Sequence, residues 1–309
     1  MSTSSTAPGD NSVAATVVEG ASGAAARSDH RGARPLVMVL PAAIVTGAVV
    51  VVGAASVVSQ SAGLFPLLGE SALTADHWSR VLSRDEVWTS MGLSVALASV
   101  SVLIAVAWAA VMVPLVLASH RAGRLLSAVA VSTVPIPHIV GAIAIGLLLS
   151  DAGMVARLVG AEPGAFPPIV SGPWWLAVIA ELAWKEAAFV TIITLGAVAR
   201  HARALDEAAV VLGVGTWRRW RRVTLPLMAP SLVGAGSIAF AFAIGNVEVP
   251  LLLGRTSPEP LPILGYRLFS QSDLMLRPEA MVVGSLTLAV AALALTVGLA
   301  MFARMGRLR

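Results

Sequence analysis

Glu181, Lys185 and Glu186 stand in the run Trp174–Val198, and Asn246 and Glu248 stand in the run Ser231–Leu253; both runs are otherwise largely apolar. An ionisable group at the centre of a membrane helix costs about 2.5–3.5 kcal/mol, so it needs a partner or a polar cavity. At a rise of 1.5 Å per residue, Glu181 and Asn246 lie about 10 Å below the outer ends of their runs, Glu248 about 8 Å and Lys185 about 16 Å. Two chemistries follow. Glu181 and Lys185, at i and i+4, can neutralise one another. Alternatively Glu181 and Glu248, at similar depth on adjacent runs, form an acidic belt along a solute pathway, which suits a cationic or polar solute. Lys185 and Glu186 fit either role. His138 follows Pro-Ile-Pro, where a helix is expected to kink; it reads as a packed or hydrogen-bonded histidine, with a cavity-facing role as the alternative.

Other chemistries are missing. Lys185 is the only lysine, and it lies in Ala-Trp-Lys-Glu, so the chain has no Gly-Lys-Ser/Thr phosphate loop. There is no cysteine, hence no disulfide, thiolate–zinc site or cysteine nucleophile. The five histidines (30, 77, 120, 138, 201) show no metal-ligand spacing, and neither His-Glu-x-x-His nor Gly-x-Ser-x-Gly occurs. The chain reads as a non-enzyme without metal or cofactor.

Trp217, Trp220 and four arginines (218, 219, 221, 222) form a basic–aromatic cluster, Trp-Arg-Arg-Trp-Arg-Arg. Such interleaving binds nucleic acid only where an exposed groove supports it. On a membrane protein it reads as an interfacial face, with tryptophans towards the bundle or lipid and arginines towards headgroups and water.

The elements that carry these residues follow from composition. Of 309 residues, 57% are hydrophobic and 12% charged, and mean hydropathy is +0.85. A soluble domain carries about 25% charged residues. Six runs have the roughly 20 residues that a bilayer crossing requires: Leu36–Val58, Met91–Ala118, Leu125–Ser150, Trp174–Val198, Ser231–Leu253 and Ala280–Ala303. Arginine-rich segments alternate with segments in which acids match or exceed arginines. The 199–230 loop has six arginines against Asp206 and Glu207, while the 59–90 loop has two against four acids. The positive-inside rule then predicts both termini in the cytoplasm, with Trp174 and Trp175 in the outer aromatic belt. The net charge of +4 is absorbed by this pattern and needs no nucleic-acid partner. Residues 1–34 are small, polar and aperiodic; they read as a disordered cytoplasmic tail rather than a signal peptide. Residues 35–309 form one helical domain, in which no internal repeat is evident.

Within the 199–230 loop, Asp206 is placed to cap a short helix that begins at Glu207. Gly213 and Gly215 permit a turn with positive φ. A second helix carries Trp217, Trp220 and Thr224 on one face, and Pro226 and Pro230 open the next span.

This stretch resembles the EAA loop of membrane-spanning subunits of binding-protein-dependent ABC importers. The signature residues are Glu207, Ala208, Ala209, Gly213, Trp220, Val223, Leu225 and Pro226, all at the expected offsets. Tryptophan stands at 220 where phenylalanine is usual, and valine at 223 where isoleucine is usual. The resemblance extends over roughly residues 85–300. It implies a type I ABC importer permease in the bacterial plasma membrane: all-α, six-span, coupled through this loop to a separate ABC ATPase dimer. It also implies a second permease subunit, the same or related, and an extracytoplasmic solute-binding protein. The style of the core spans is similar to permeases for polyamines, thiamine, ferric iron or sulfate-like anions. An ion-coupled secondary carrier and a non-transporting membrane anchor are the rival readings, and both leave the EAA spacing unexplained.

Overall fold

The computed structural model describes residues 33–64, 71–118, 120–162 and 164–307. The segment expected as a tail lies, up to residue 32, outside the described residues. Among the described residues every regular element is helical. The chain divides into two compact units, one ending at Ser56 and one running from Val57 to the C-terminus.

The first unit contributes most of α1 (Ala33–Ser61), an apolar helix with Pro41 inside it. The second unit is assembled on the pairing of α3 (Asp85–Ala118) with α7 (Leu176–Val211). Ala98, Ala105 and Ala109 are buried on α3, at spacings of seven and four that keep them on one face. Small side chains let two backbones approach closely where lipid offers no hydrophobic drive for association. The other helices in order are α2 (Asp76–Leu82), α4 (His120–Thr133), α5 (His138–Leu149), α6 (Met154–Leu158), α8 (Thr216–Arg219), α9 (Leu225–Gly245), α10 (Glu248–Leu253), α11 (Leu261–Phe269) and α12 (Arg277–Arg307). A π-helical turn, Trp220–Thr224, joins α8 to α9. α9 packs on α3, α7 and α12.

Three apolar clusters hold this unit. One joins Leu97, Val178, Leu182, Ile244 and Leu253. A second, on the C-terminal half of α3, joins Val113, Val190, Val198, Met228 and Leu232. A third joins Val81, Val87, Leu264 and Val283 near the N-terminal ends of α3 and α12.

Several expectations are revised. By length and composition, five helical stretches among the described residues could cross a membrane, against the six expected. The expected fourth span lies in α7, whose 36 residues (about 54 Å) are long enough but carry Glu181, Lys185 and Glu186. The expected third span is two helices rather than one kinked helix, with its break at Val134–Pro137. Pro135 and Pro137 remove two backbone donors within three residues, more than a kink can absorb. The expected fifth span breaks at Asn246–Val247. The short helix expected to start after Asp206 has no start there: α7 runs unbroken through 206, with no glycine or proline in 197–211 to interrupt it. Trp174 is 77% exposed, but Trp175 is 5% exposed and packs over Gly254 rather than joining a belt.

Candidate functional site: a charged pair at a broken helix and the 207–226 loop

α4 ends at Thr133 and α5 begins at His138. A helix C-terminus presents carbonyls without helical donors and a partial negative charge; an N-terminus presents the opposite charge. α7 meets both ends with one turn of side chains. The Lys185 ammonium donates to the carbonyls of Thr133 at 2.7 Å, Ile136 at 2.5 Å and Val134 at 3.4 Å. One turn earlier, Glu181 is 0% exposed and lies beside the first turn of α5. His138 Nδ1 stands 3.2 Å from Oε1 and 3.3 Å from Oε2 of the Glu181 carboxylate, and when protonated there it donates to Oε2. The His138 ring also packs on Phe242 of α9, with centroids 4.7 Å apart. Gly141 is what admits this approach. A Cβ there would stand 2.8 Å from Glu181 Oε1 and 3.2 Å from the Trp184 ring.

The i, i+4 pair on α7 is therefore matched in sign to the two ends of a broken helix. The partner of Glu181 is His138, not Lys185, and Lys185 serves backbone carbonyls. Glu186 is buried on the same helix.

The second break is closed differently. Asn246 is buried, and its Oδ1 accepts from the backbone N–H of Val249 at 2.9 Å, which caps α10. Glu248, in the first turn of α10, is exposed. Glu181 and Glu248, expected as one acidic belt, thus have opposite surroundings: one is sealed and paired, the other open. Asn246 has a capping role that accounts for its position. His138 has the hydrogen-bonded, packed role.

The 207–226 loop begins on the last turns of α7. Glu207, Ala208 and Ala209 have helical backbone there, and their side chains lie outside the described residues. α7 ends at Val211, and Gly213 follows with φ of 70°. A residue with a Cβ pays about 1–2 kcal/mol in that conformation. A Cβ on Gly213 would meet nothing within 4 Å, so the need at this position is conformational. Gly215 has an ordinary extended backbone and precedes α8.

The second helix of the loop is not separate from the following span. α8, the π-turn and α9 run on from Thr216 to Gly245. Trp217 is 69% exposed and stacks on the half-buried Trp220, with centroids 4.9 Å apart. Trp220 Nε1 donates to the Ala110 carbonyl of α3 at 3.1 Å. Arg218, Arg221 and Arg222 are exposed. Val223 is half-buried; Leu225 packs against the second apolar cluster, and Pro226 lies in the first turn of α9. Sequence reasoning does not single out Ala110 or Pro114. The signal was Pro114 itself, since a proline inside a helix leaves the carbonyl four residues earlier without its donor.

A family profile described as "Binding-protein-dependent transport system inner membrane component" matches residues 36–308. The sulfoquinovosyl glycerol transport system permease protein SmoG of Agrobacterium fabrum is 31% identical over 90 residues, which are 28% of this chain and 29% of that one. The inner membrane ABC transporter permease protein YnjC of Escherichia coli is 30% identical over 141 residues, 45% of this chain and 26% of that one. The trehalose/maltose transport system permease protein MalF of Thermococcus litoralis is 27% identical over 168 residues, 52% of this chain and 55% of that one. The chain thus spans from about a quarter to just over half the length of these relatives. Among solved structures, a bacterial ABC transporter involved in import of the acidic polysaccharide alginate has a chain that superposes with a TM-score of 0.66 at 20% identity, covering 90% of this chain and 98% of that one. A chain of the inward-facing MetNI methionine ABC transporter gives 0.55 at 17% identity, covering 75% and 99%.

Proposed function

This chain belongs to the family of binding-protein-dependent transport system inner membrane components, and we propose that it is the permease subunit of an ABC importer. In this reading its helices line the pathway of a small polar solute handed over by an extracytoplasmic binding protein. A second permease subunit completes the pathway. A separate ATPase pair docks on the 207–226 loop, at the cytoplasmic side with both termini. The observation that carries the reading is the family match across 36–308, joined to a Glu-Ala-Ala…Gly…Leu-Pro stretch between α7 and α9. The left-handed Gly213 supports a tight turn in that stretch.

The solute we propose is hydroxyl-rich and sugar-like. The polyamine, thiamine, ferric iron and sulfate expectation finds no support among the relatives above, two of which carry sugar-derived names. A cationic solute also loses its physical basis, because the Glu181 carboxylate is spent on His138. Glu248, being exposed, remains a candidate for contact with solute, and Lys185, Glu186, Asn246 and His138 support the pathway wall rather than touch its contents.

The test is co-purification of the permease with its ATPase and binding protein, followed by MgATP hydrolysis against a panel of neutral disaccharides and acidic oligosaccharides. Stimulation by a sugar supports both parts; stimulation by a polyamine or metal ion alone sinks the solute part. In Gly213→Asp we expect an inserted, folded permease whose ATPase is lost on purification or no longer responds to solute. Unchanged stimulated turnover in that variant removes the coupling role of the loop. Glu207→Ala should weaken the same contact less, since it removes one charge and leaves the turn at Gly213 intact.

A further inference from the structure

Pro114 lies inside α3. It has no N–H, so the Ala110 carbonyl lacks the donor that a regular helix would supply from position 114. The indole N–H of Trp220 donates to this same carbonyl, at 3.1 Å in a half-buried setting. The two features, 110 residues apart in sequence, meet at one oxygen. Phenylalanine, the usual residue at position 220 of the EAA signature, could fill the space but could not donate. Trp217 covers the outer face of the indole. The π-turn starts at Trp220 itself. A π-turn takes in one extra residue and so resets the rotation of the helix after it relative to the helix before it. The residues next to this point, Leu225 and Met228, then anchor in the cluster that includes Val113 of α3.

We propose that Trp220 is a positioning residue that fastens the coupling loop to the C-terminal half of α3. Loop and helix then move as one body when the ATPase subunits close beneath them. This rests on the reading of the loop as the ATPase-docking element. The carbonyl left open by Pro114 is the receiving half of the fastening, and the indole N–H is the other half. The half-buried hydrogen bond is a suitable link because the Ala110 carbonyl has no helical donor to return to when the indole lets go.

The chain has no cysteine, so two introduced cysteines report on one distance. Spin labels at Val111→Cys on α3 and Arg221→Cys in the loop, both exposed positions, are measured in the assembled importer. In the nucleotide-free state, Trp220→Phe should raise the population outside the main distance peak roughly three- to ten-fold, the factor lost with one neutral hydrogen bond. Pro114→Ala supplies a competing helical donor and should do the same; the two together should do no more than either alone. On trapping with MgATP and vanadate, the parent distance should hold while that of Trp220→Phe shifts. Unchanged distributions in Trp220→Phe, additive effects of the two substitutions, or a trapped-state distance that holds in Trp220→Phe whatever happens to the unfolding midpoint would each overturn the proposal. ATPase retention is scored on the same samples. Its absence from the parent sinks the docking reading instead, while the nucleotide-free distances still decide whether the link exists.

Discussion

At the scale of single residues, the sealed Glu181–His138 contact is the costliest feature to disturb. Glu181 is fully buried, and His138 is the salt-bridge partner it has among the described residues. Leaving a buried polar group without its hydrogen-bonding partner costs about 1–3 kcal/mol, and more for a carboxylate that stays charged. His138→Leu should therefore lower the unfolding midpoint in detergent by many degrees, and adding Glu181→Leu should restore much of it. Glu181→Gln keeps a hydrogen-bonding partner for the imidazole and should be mild. If His138→Leu is as stable as the parent, the carboxylate is compensated by something other than the imidazole. The exposed arginines of the loop are the opposite case. Arg218, Arg221 and Arg222 face outward, and their loss should cost fold stability little.

At the scale of elements, the break between α4 and α5 requires an explanation, since free backbone groups at membrane depth are tolerated only when met inside the protein. Lys185 meets three carbonyls there. Lys185→Met preserves length and packing but leaves those acceptors without their donor. A buried unmet acceptor costs about 1–3 kcal/mol. We expect a lower unfolding midpoint and faster proteolysis near residues 133–137 in Lys185→Met. Equal protection there in the variant would show that Lys185 does not hold the break. The same logic explains why α9 and α10 manage without a charge: Asn246 supplies the cap from within the break itself.

At the scale of the whole second unit, ion pairs between residues distant in sequence join α2 and the turn before α3 to the N-terminal end of α12, and the start of α3 to α11. Glu279, nearly buried, accepts from Arg84 at 2.6 Å and pairs with Arg80 at 3.2 Å. Arg267 of α11 bridges Glu259 and Glu86, both at 2.6 Å. Glu279 is the hub, so Glu279→Ala strands two arginines at once. Arg80→Ala removes a contact from a half-exposed side chain, which contributes about 0–1 kcal/mol and fades with salt. Thermal unfolding should rank Glu279→Ala well below Arg80→Ala, and added salt should narrow the effect of Arg80→Ala more. An inverse ranking would mean that the cluster of Val81, Val87 and Val283 holds this end without help from the charges.

Much of this protein is legible in one dimension because its determinants are local. Apolar runs of about 20 residues identify membrane helices wherever they fall in a fold. A Glu-Ala-Ala…Gly…Leu-Pro spacing identifies a loop, and the left-handed conformation of Gly213 follows from a glycine after a helix end. The all-helical class and the permease family were accessible on those grounds. The partners of charged side chains were not. The i, i+4 spacing of Glu181 and Lys185 suggested a pair, but a broken helix alongside offered each a better partner, an imidazole at one end and three carbonyls at the other. Similar depth suggested that Glu181 and Glu248 share a belt, yet depth does not specify which side of a helix faces the core. Asp206 has the chemistry of a cap, but a cap forms only where a helix starts, and α7 had already begun 30 residues earlier. The open carbonyl of Ala110 could be inferred from Pro114, but what fills it could not. That was decided by packing, which brought Trp220 across 110 residues of chain to the one oxygen on that turn of α3 that its own helix had left without a donor.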